Sequence, residues 1–384
     1  MKIYVDVTVL TMATFITGIQ RVTREISIRL IENNDFEIVL LHYNAAKSVY
    51  YQIDNTAYVE YYANGKGIKE KMITDKEIPL SQIGSGTLFF DLDAAWMCRM
   101  KRSYLLPIIK EQGAKIVAHI YDIISITHPQ YCLERGVYNF MDFLGAHLQY
   151  ADKIIVNAEA TVKELEKLTD SLECKLPECH VVPLGANFRN IVNESDNVSF
   201  HSFEKLSKEK PYVLMVGTIE PRKNHRLLLE AYNYSLKEKG FQIVFAGYWG
   251  WNMETFEKKV KEHPDYGNGV YHFEGLDDRQ INYLYQHAAC VAFCSYTEGF
   301  GLPIVEALQR DAVVVAADVE VLREVGKEDC LWFEQDNVKD LCEKVLLGYE
   351  QKQSMNKESR VLHYKAATWE ECYLNMYRVL VDEC

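Results

Sequence analysis

Short apolar runs alternate with longer amphipathic segments along most of the chain. Runs of about four to eight β-branched and aromatic residues, bounded by polar residues, are typical of buried strands. In the first half they are "KIYVDVTV", "FEIVLLHY", "GTLFFDLD", "KIVAHIYDI" and "KIIVNA". The segment after the first of them, "QRVTREISIRLIEN", has Val22, Ile26 and Leu30 spaced for a helix face. Strands that alternate with helices in this way predict parallel βαβ units.

The second half repeats the alternation. Its strand-like runs are "PYVLMVG", "FQIVFAG", "GVYHFEG", "CVAFCSY", "AVVVAAD" and "CLWFE". Helices are predicted in "NHRLLLEAYNYSLKEKG", "DRQINYLYQHA", "LPIVEALQR" and the amphipathic "TWEECYLNMYRVLVDEC". A chain of 384 residues is too long for one typical core. We therefore predict an α/β fold with two doubly wound Rossmann-like domains facing each other across a cleft.

The domain boundaries follow from a polar stretch, rich in Ser, Asn and Glu, that comes after "HVVPLGAN". This composition is typical of a linker. We expect an N-terminal domain at 1–188, the linker at 189–210 and a C-terminal domain at 211–366. The helix at 367–384 is expected to close the fold by packing back toward the N-terminal domain.

Composition narrows the function classes. The formal net charge of −13 argues against non-specific nucleic-acid binding. The N-terminus "MKIYVDVTVL" predicts a strand and not a signal peptide. The sequence contains no run of about 18 apolar residues, so no membrane span is predicted. The ten cysteines are scattered, which is typical of reduced thiols in a cytoplasmic protein.

Two glutamates stand out in "SYTEGFGLPIVEALQ", a run that is otherwise small or apolar. Glu298 is predicted in a loop at the carboxyl end of a strand, and Glu306 one turn into the following helix. Gly299 and Gly301 let the backbone approach a ligand and leave amides near a helix N-terminus, where anions bind. The two carboxylates could accept hydrogen bonds from ligand hydroxyls, and the amides could bind a phosphate. A nucleotide sugar offers these groups.

A second group of charges lies in "MVGTIEPRKNHRLLLEAY". The strand is predicted to end at Gly217, and Arg222 and Lys223 come just before Asn224, a predicted N-cap. Two adjacent cations at the end of a parallel strand suit a diphosphate, to which Arg offers a bidentate fork and Lys a point charge.

These two stretches, Met215–Asn224 and Tyr296–Leu308, resemble the signature regions of glycosyltransferase family 4, whose members are retaining enzymes of the GT-B fold. "GTIEPRKN" is similar to bacterial mannosyl- and rhamnosyltransferase-like members, and "VPLGAN" and "YDIISITHPQY" resemble further family segments. The similarity is weakest at 45–85. It implies a nucleotide-sugar donor, GDP-, dTDP- or UDP-linked, held by the C-terminal domain. It also implies a glycan acceptor, often lipid-linked, on the N-terminal domain.

The resemblance also implies residue roles. Arg222 and Lys223 would stabilise the leaving diphosphate, Glu298 would hold the hydroxyls of the donor sugar, and Glu306 would bind the ribose. The remaining donor-binding positions are backbone sites: Gly18 in a turn after the first strand, Gly217, Phe300, Gly301 and Leu302.

The N-terminal domain departs from the family pattern at one position. Many members have a histidine where this chain has Tyr121, before Asp122, and here His119 lies two residues earlier on the same face of a regular strand. His119, Tyr121 and Asp122 are therefore candidates for sugar or acceptor contacts, and which of His119 and Tyr121 takes the histidine role is left open.

A metal is not expected. Asp91 and Asp93 in "FFDLDAAW" follow a strand as the metal pair of GT-A glycosyltransferases does. Arg222 and Lys223 already offer charge neutralisation, and two doubly wound domains do not suit GT-A. We therefore expect no metal and no other cofactor.

Three functions remain under consideration. The leading hypothesis is a retaining, metal-independent hexosyltransferase, with a mannose- or rhamnose-type sugar favoured, that acts in bacterial surface polysaccharide assembly. The alternatives are a nucleotide-sugar epimerase of the same fold and a catalytically silent glycosyltransferase-like partner subunit. We expect a cytoplasmic protein, peripheral at the inner face of the membrane if the segment "DAAWMCRMKRSYLLPIIK", Asp93 to Lys110, forms a basic amphipathic helix and not an ordinary surface helix.

Overall fold

The computed structural model describes residues 1–14, 16–33, 35–187, 203, 206, 209–354 and 366–382. The chain divides into two compact units. The first comprises Met1–Gly185 and Ala367–Cys384, and the second Ala186–Ala366. Most of the stretch 189–210, predicted as a linker, lies outside the described residues.

The first unit is built on an eight-stranded sheet with the order β4-β3-β2-β1-β5-β6-β7-β8. Its strands are β1 Lys2–Asp6, β2 Glu37–Asn44, β3 Val49–Ile53, β4 Ile73–Ile78, β5 Thr87–Asp91, β6 Lys115–Ile120, β7 Lys153–Val156 and β8 Glu178–Val181. All neighbours pair in parallel except β2 with β3 and β3 with β4. The predicted parallel βαβ order is thus confirmed, and the antiparallel β3 and β4 were not predicted.

Helices cover the sheet of the first unit. They are α1 Thr8–Met12, α2 Gly18–Asn33, α3 Asn55–Asn64, α4 Arg102–Glu111, α5 Ile124–Thr127, α6 Glu134–Tyr150 and α7 Glu159–Ser171. Ser27 in α2 lies 2.7 Å from the Tyr58 hydroxyl of α3, which ties these two helices together. Because α1 lies between β1 and α2, the chain does not pass from the first strand to the second helix by a simple turn.

The segment Asp93–Lys110 does not form one continuous helix, so the basic amphipathic helix that was considered there as an alternative to an ordinary surface helix is not present. A short 3₁₀ turn occupies Ala95–Met97, and α4 begins only at Arg102. The Arg102 guanidinium is buried, because its Nε and Nη2 donate to Asp91 at 2.5 and 2.8 Å and Nη2 also donates to Asp6 at 2.9 Å. A buried charge of this kind needs such partners. The ion pairs with Asp91 and Asp6 therefore hold the N-terminus of α4 against the core of the first unit.

The second unit is a six-stranded, fully parallel sheet with the order β11-β10-β9-β12-β13-β14. Its strands are β9 Tyr212–Val216, β10 Gln242–Ala246, β11 Val270–Phe273, β12 Cys290–Phe293, β13 Val314–Ala317 and β14 Cys330–Phe333. Its helices are α8 His225–Ala231, continued by a π-helix at Tyr232–Leu236, and α9 Glu254–Lys261, α10 Asp278–His287, α11 Leu302–Leu308, α12 Glu320–Gly326 and α13 Val338–Ser354. All six predicted strands are confirmed.

The last helix, α14 Trp369–Val381, belongs to the first unit. Its N-terminus carries a capping box between Thr368 and Glu371. It packs on α2, where Tyr373 accepts from the Asn33 amide at 2.5 Å and Glu370 lies 3.2 Å from Arg29. None of the helices among the described residues is both long and apolar enough to cross a membrane.

Candidate functional site

The two signature stretches meet in the second unit. Strands β9 and β12 are neighbours in the sheet and parallel, so the loops at their carboxyl ends lie side by side. The backbone of the two loops is joined directly, since the Tyr296 amide donates to the Arg222 carbonyl at 2.9 Å. This contact brings the residues around Arg222 and Glu298 to one edge of the sheet, where ligands of such folds bind.

Glu298 lies between the two cations. Its Oε2 is 2.5 Å from Arg222 Nη1, and its Oε1 is 3.2 Å from Lys223 Nζ. The Ser295 hydroxyl also donates to Oε1 at 2.8 Å. The four side chains form one charged cluster, which we call the Arg222–Glu298 cluster.

Glu298 is held in its ionised form. Burial raises the pKa of Glu298, but the charges of Arg222 and Lys223 outweigh it and lower the pKa to about 2. Arg222 is further fixed by donation to Glu220 at 2.6 Å and to the Thr297 carbonyl at 2.7 Å. The cations that sequence assigned to a diphosphate and the carboxylate assigned to a sugar are thus in direct contact with each other.

Two glycines shape the backbone around this cluster. Gly217 has φ +129°, and a Cβ there would lie 3.4 Å from Lys223 Nζ, so the lysine chain passes directly over it. Gly301 has φ +97° and precedes α11, and a Cβ there would lie 3.0 Å from Leu322 Cδ2. The left-handed backbone favours glycine at both positions, and the space at Gly301 is also tight.

Helix α11 begins at Leu302, directly after Phe300 and Gly301, as predicted. Glu306 lies in its second turn and is buried. Its carboxylate accepts from the Tyr285 hydroxyl of α10 at 2.9 Å. The Tyr285 hydroxyl therefore orients Glu306. Sequence reasoning missed this contact, because nothing in the sequence indicates that two residues 21 positions apart on successive helices touch.

Asn224 precedes α8, but it is not the side-chain cap that we predicted. It is left-handed, with φ +53°, and its side chain makes no capping hydrogen bond. Instead its amide donates to Asp336 Oδ1 at 3.0 Å, and the Tyr296 hydroxyl donates to the same oxygen at 2.7 Å. Asp336, in the loop after β14, thereby joins both signature loops; it was missed, although its place after a strand end was visible in "CLWFEQDN".

The candidates at the end of β6 lie together in the first unit. The His119 and Tyr121 rings stack with centroids 4.1 Å apart, so the same-face expectation is confirmed. His119 Nε2 contacts Asn157 Oδ1 at 2.7 Å, and the Tyr121 hydroxyl donates to the Leu92 carbonyl at 2.6 Å. Both side chains are buried. Burial lowers the pKa of His119 to about 4, although its bond to Asn157 opposes the shift, so the imidazole is neutral near pH 7.

Asp122 and Gly18 hold different positions in that unit. Asp122 is half-buried and accepts from the Ile124 amide at 3.0 Å, at the start of α5. Gly18 is the first residue of α2 and not part of a turn directly after β1, because α1 lies between them. The structure therefore corrects the position expected for Gly18.

Asp91 and Asp93 are engaged with protein groups. Both Asp91 oxygens accept from Arg102. Asp93 accepts from the Leu10 and Ala94 amides, each at 2.8 Å, and burial raises its pKa to about 7. The two carboxylates stabilise the loops at this edge of the first sheet.

The architecture and the site stretch both have known counterparts. Residues 198–367 match the family model described as glycosyl transferases group 1. Anabaena Alr3699/HepE in complex with UDP-glucose is similar over 100% of both chains, with a TM-score of 0.69 and 14% identity. At that identity the similarity concerns the fold, and it confirms the predicted GT-B class of two Rossmann-like domains.

Several of the sequence relatives are mannosyltransferases. The serotype-specific mannosyltransferase WbdA of Escherichia coli is 24% identical over 384 residues, 96% of this chain and 44% of that protein. The O-antigen chain mannosyltransferase B of Escherichia coli is 30% identical over 176 residues, 44% of this chain and 46% of that protein. The chain thus spans less than half the length of these curated relatives.

Proposed function

We propose that the chain is a retaining, metal-independent glycosyltransferase of family 4. It transfers a sugar, with mannose favoured over rhamnose, from a nucleotide sugar to a glycan acceptor in polysaccharide assembly. The observation that carries this proposal is the Arg222–Glu298 cluster beside the N-terminus of α11. Two mannosyltransferase relatives support the choice of transfer over epimerisation, and the intact cluster supports an active enzyme over a silent subunit.

The charged residues of the Arg222–Glu298 cluster and the residues at the start of α11 have roles in the proposed reaction. Arg222 and Lys223 neutralise the diphosphate as it leaves, because charge-assisted contacts strengthen as negative charge develops. Glu298, which keeps its negative charge, holds the sugar hydroxyls. Phe300, Gly301 and Leu302 bring backbone amides to the start of α11, and Glu306 binds the ribose from within that helix.

We place the reaction in the cytoplasm. No disulfide joins the cysteines of the described residues, which agrees with a reducing compartment. His119, Tyr121 and Asp122 of the first unit are candidates for sugar or acceptor contacts, and the side chains of the first two are buried.

The direct test is thermal unfolding of the full chain with GDP-, UDP- and dTDP-linked sugars. A ligand that binds only the folded state stabilises it by about 2.7 kcal/mol at a hundred times its Kd, so one donor class is expected to raise the Tm clearly. The same donor is expected to leave the Tm of Lys223→Ala less changed than that of Lys258→Ala, an exposed lysine on α9. No shift with any nucleotide sugar would refute the proposal.

A further inference from the structure

A groove of about 520 Å³ opens in the first unit. One wall is formed by the end of β2, the start of β3 and the end of β4 and includes Ile78, and the buried Tyr43 and Tyr50 of these strands form the floor. The other wall is the stretch before and at the start of α4, with Arg99 and Tyr104. The volume lies in the range typical of small-molecule sites, roughly 300–1,000 Å³.

The floor of the groove is rigid. The Tyr43 and Tyr50 rings pack edge to face with centroids 5.2 Å apart. The Tyr50 hydroxyl donates to Asp6 at 2.9 Å, and Asp6 is in turn fixed by the buried Arg102. A floor anchored in a buried ion-pair network loses little conformational entropy when a ligand arrives.

The rim offers an aromatic face and two cations. Tyr104 is 61% exposed although it lines the groove. Lys101 is held by the Asn139 side chain at 2.6 Å. Arg99 is exposed and makes no hydrogen bond or ion pair within the described part of the chain. Across the groove Glu77 accepts from the Tyr51 hydroxyl at 3.1 Å, which supplies a carboxylate on the opposite rim.

We propose that this groove binds a stretch of the acceptor glycan, a neutral oligosaccharide of hexose units, on the Tyr104 ring and the Arg99 guanidinium. A sugar ring has an apolar C–H face that packs on an aromatic ring, and hydroxyls that accept from guanidinium and donate to carboxylate. The groove has these groups on opposite rims above a tyrosine floor. The inference rests on the proposed function, since it assigns the acceptor of the same enzyme.

The test is binding of an α-linked mannotetraose to the full chain in the absence of donor. Binding is monitored by saturation-transfer NMR and by titration of tyrosine fluorescence. The variants Arg99→Ala and Tyr104→Ala are expected to raise the Kd at least fivefold. Both side chains are exposed, so folding is not expected to suffer. The matched controls Arg135→Ala and Tyr138→Ala change an exposed arginine and an exposed tyrosine outside the groove, and they are expected to leave the Kd unchanged.

Two results would overturn the groove assignment: no binding of the tetraose, or equal binding by the groove variants and the wild type. The nucleotide-sugar melting shift, measured on the same variants, separates this failure from failure of the proposed function. A donor shift that persists while tetraose binding is absent rejects the groove alone.

Discussion

At the scale of single residues, the charge of Glu298 is the feature on which the site depends. Its pKa is lowered from an ordinary 4.5 to about 2 because Arg222 and Lys223 stabilise the ionised form more than burial opposes it. A depressed folded-state pKa stabilises the fold at all pH values above the unfolded value. The contribution is lost as pH falls from about 4.5 toward 2.

This gives a pH prediction. The wild type should lose stability relative to Glu298→Gln between pH 4.5 and 2, because glutamine has no charge to lose. Urea unfolding of both proteins across that range measures the difference in the free energy of unfolding. A difference that stays constant with pH would mean that the ion pairs of Glu298 do not stabilise the folded chain.

Substitutions of the two glutamates of the site should have different effects on the steady-state kinetic constants. Glu298→Gln should mainly lower kcat, because its contacts change as the sugar becomes oxocarbenium-like and the freed cations still attract the donor. Glu306→Gln should mainly raise the donor KM, by up to about a hundredfold, since a hydrogen bond to a charged group contributes roughly 1.5–3 kcal/mol. Steady-state kinetics with the donor identified by melting provides both constants.

Tyr285→Phe is the matched control for Glu306. It removes the hydroxyl that orients the carboxylate and leaves the carboxylate in place, so a smaller rise in KM is expected. If Glu306→Gln lowered kcat and left KM unchanged, the ribose assignment would be wrong.

Sequence predicted which side chains of the site share one edge of the sheet, but not how they contact each other. Glycine spacing and strand ends located Arg222, Lys223, Glu298 and Glu306. Lys223 and Glu298 lie 75 positions apart in the sequence. Their contact depends on the tertiary packing of β9 beside β12. The same applies to Asp336, whose hydrogen bonds replaced the local cap expected of Asn224.

At the scale of elements, the docking of α14 depends on a close backbone approach. A Cβ on Gly185 would lie 2.5 Å from the Trp369 Cα and 2.7 Å from the Thr368 carbonyl carbon. Backbone atoms cannot give way as a flexible side chain does. The N-terminus of α14 would therefore have to move if any larger residue replaced Gly185.

Gly185→Ala should destabilise the chain by about 1–3 kcal/mol, the usual cost of overpacking. Gly145→Ala is the control. Gly145 is exposed within α6, and a Cβ there meets nothing within 4 Å, so alanine should stabilise the helix by roughly 0.5–1 kcal/mol. Denaturant unfolding that showed both variants equal to the wild type would rule out this close approach.

Elements with a strong periodic pattern were predicted well, and those set by context were not. The buried parallel strands carry their own apolar signal. The antiparallel pair β3 and β4 has exposed residues along β4, so its pattern is weak and the stretch 45–85 remained without a prediction. The alternative of a basic amphipathic helix at Asp93–Lys110 failed for another reason, because sequence could not show that the Arg102 side chain is buried against Asp91 and Asp6.

At the scale of the whole molecule, each unit is a sheet covered by helices, and Arg222, Lys223 and Glu298 follow the ends of two neighbouring strands of the second unit. In the proposed mechanism, Arg222 and Lys223 of the second unit neutralise the diphosphate without a metal. We therefore expect turnover to survive EDTA, and addition of Mg²⁺ or Mn²⁺ to change it little. Complete loss in EDTA, reversed by a divalent cation, would refute the metal-independent mechanism.

The central claim is that Arg222 and Lys223 stabilise the leaving diphosphate, and turnover of alanine variants tests it most directly. Release of the nucleoside diphosphate is measured for Arg222→Ala and Lys223→Ala, with Lys258→Ala as the surface control. Loss of one such charged donor costs about 3 kcal/mol in the transition state, on the order of a hundredfold in rate. We predict that loss in kcat for both site variants and none for the control. Near-normal turnover in both site variants would contradict the account.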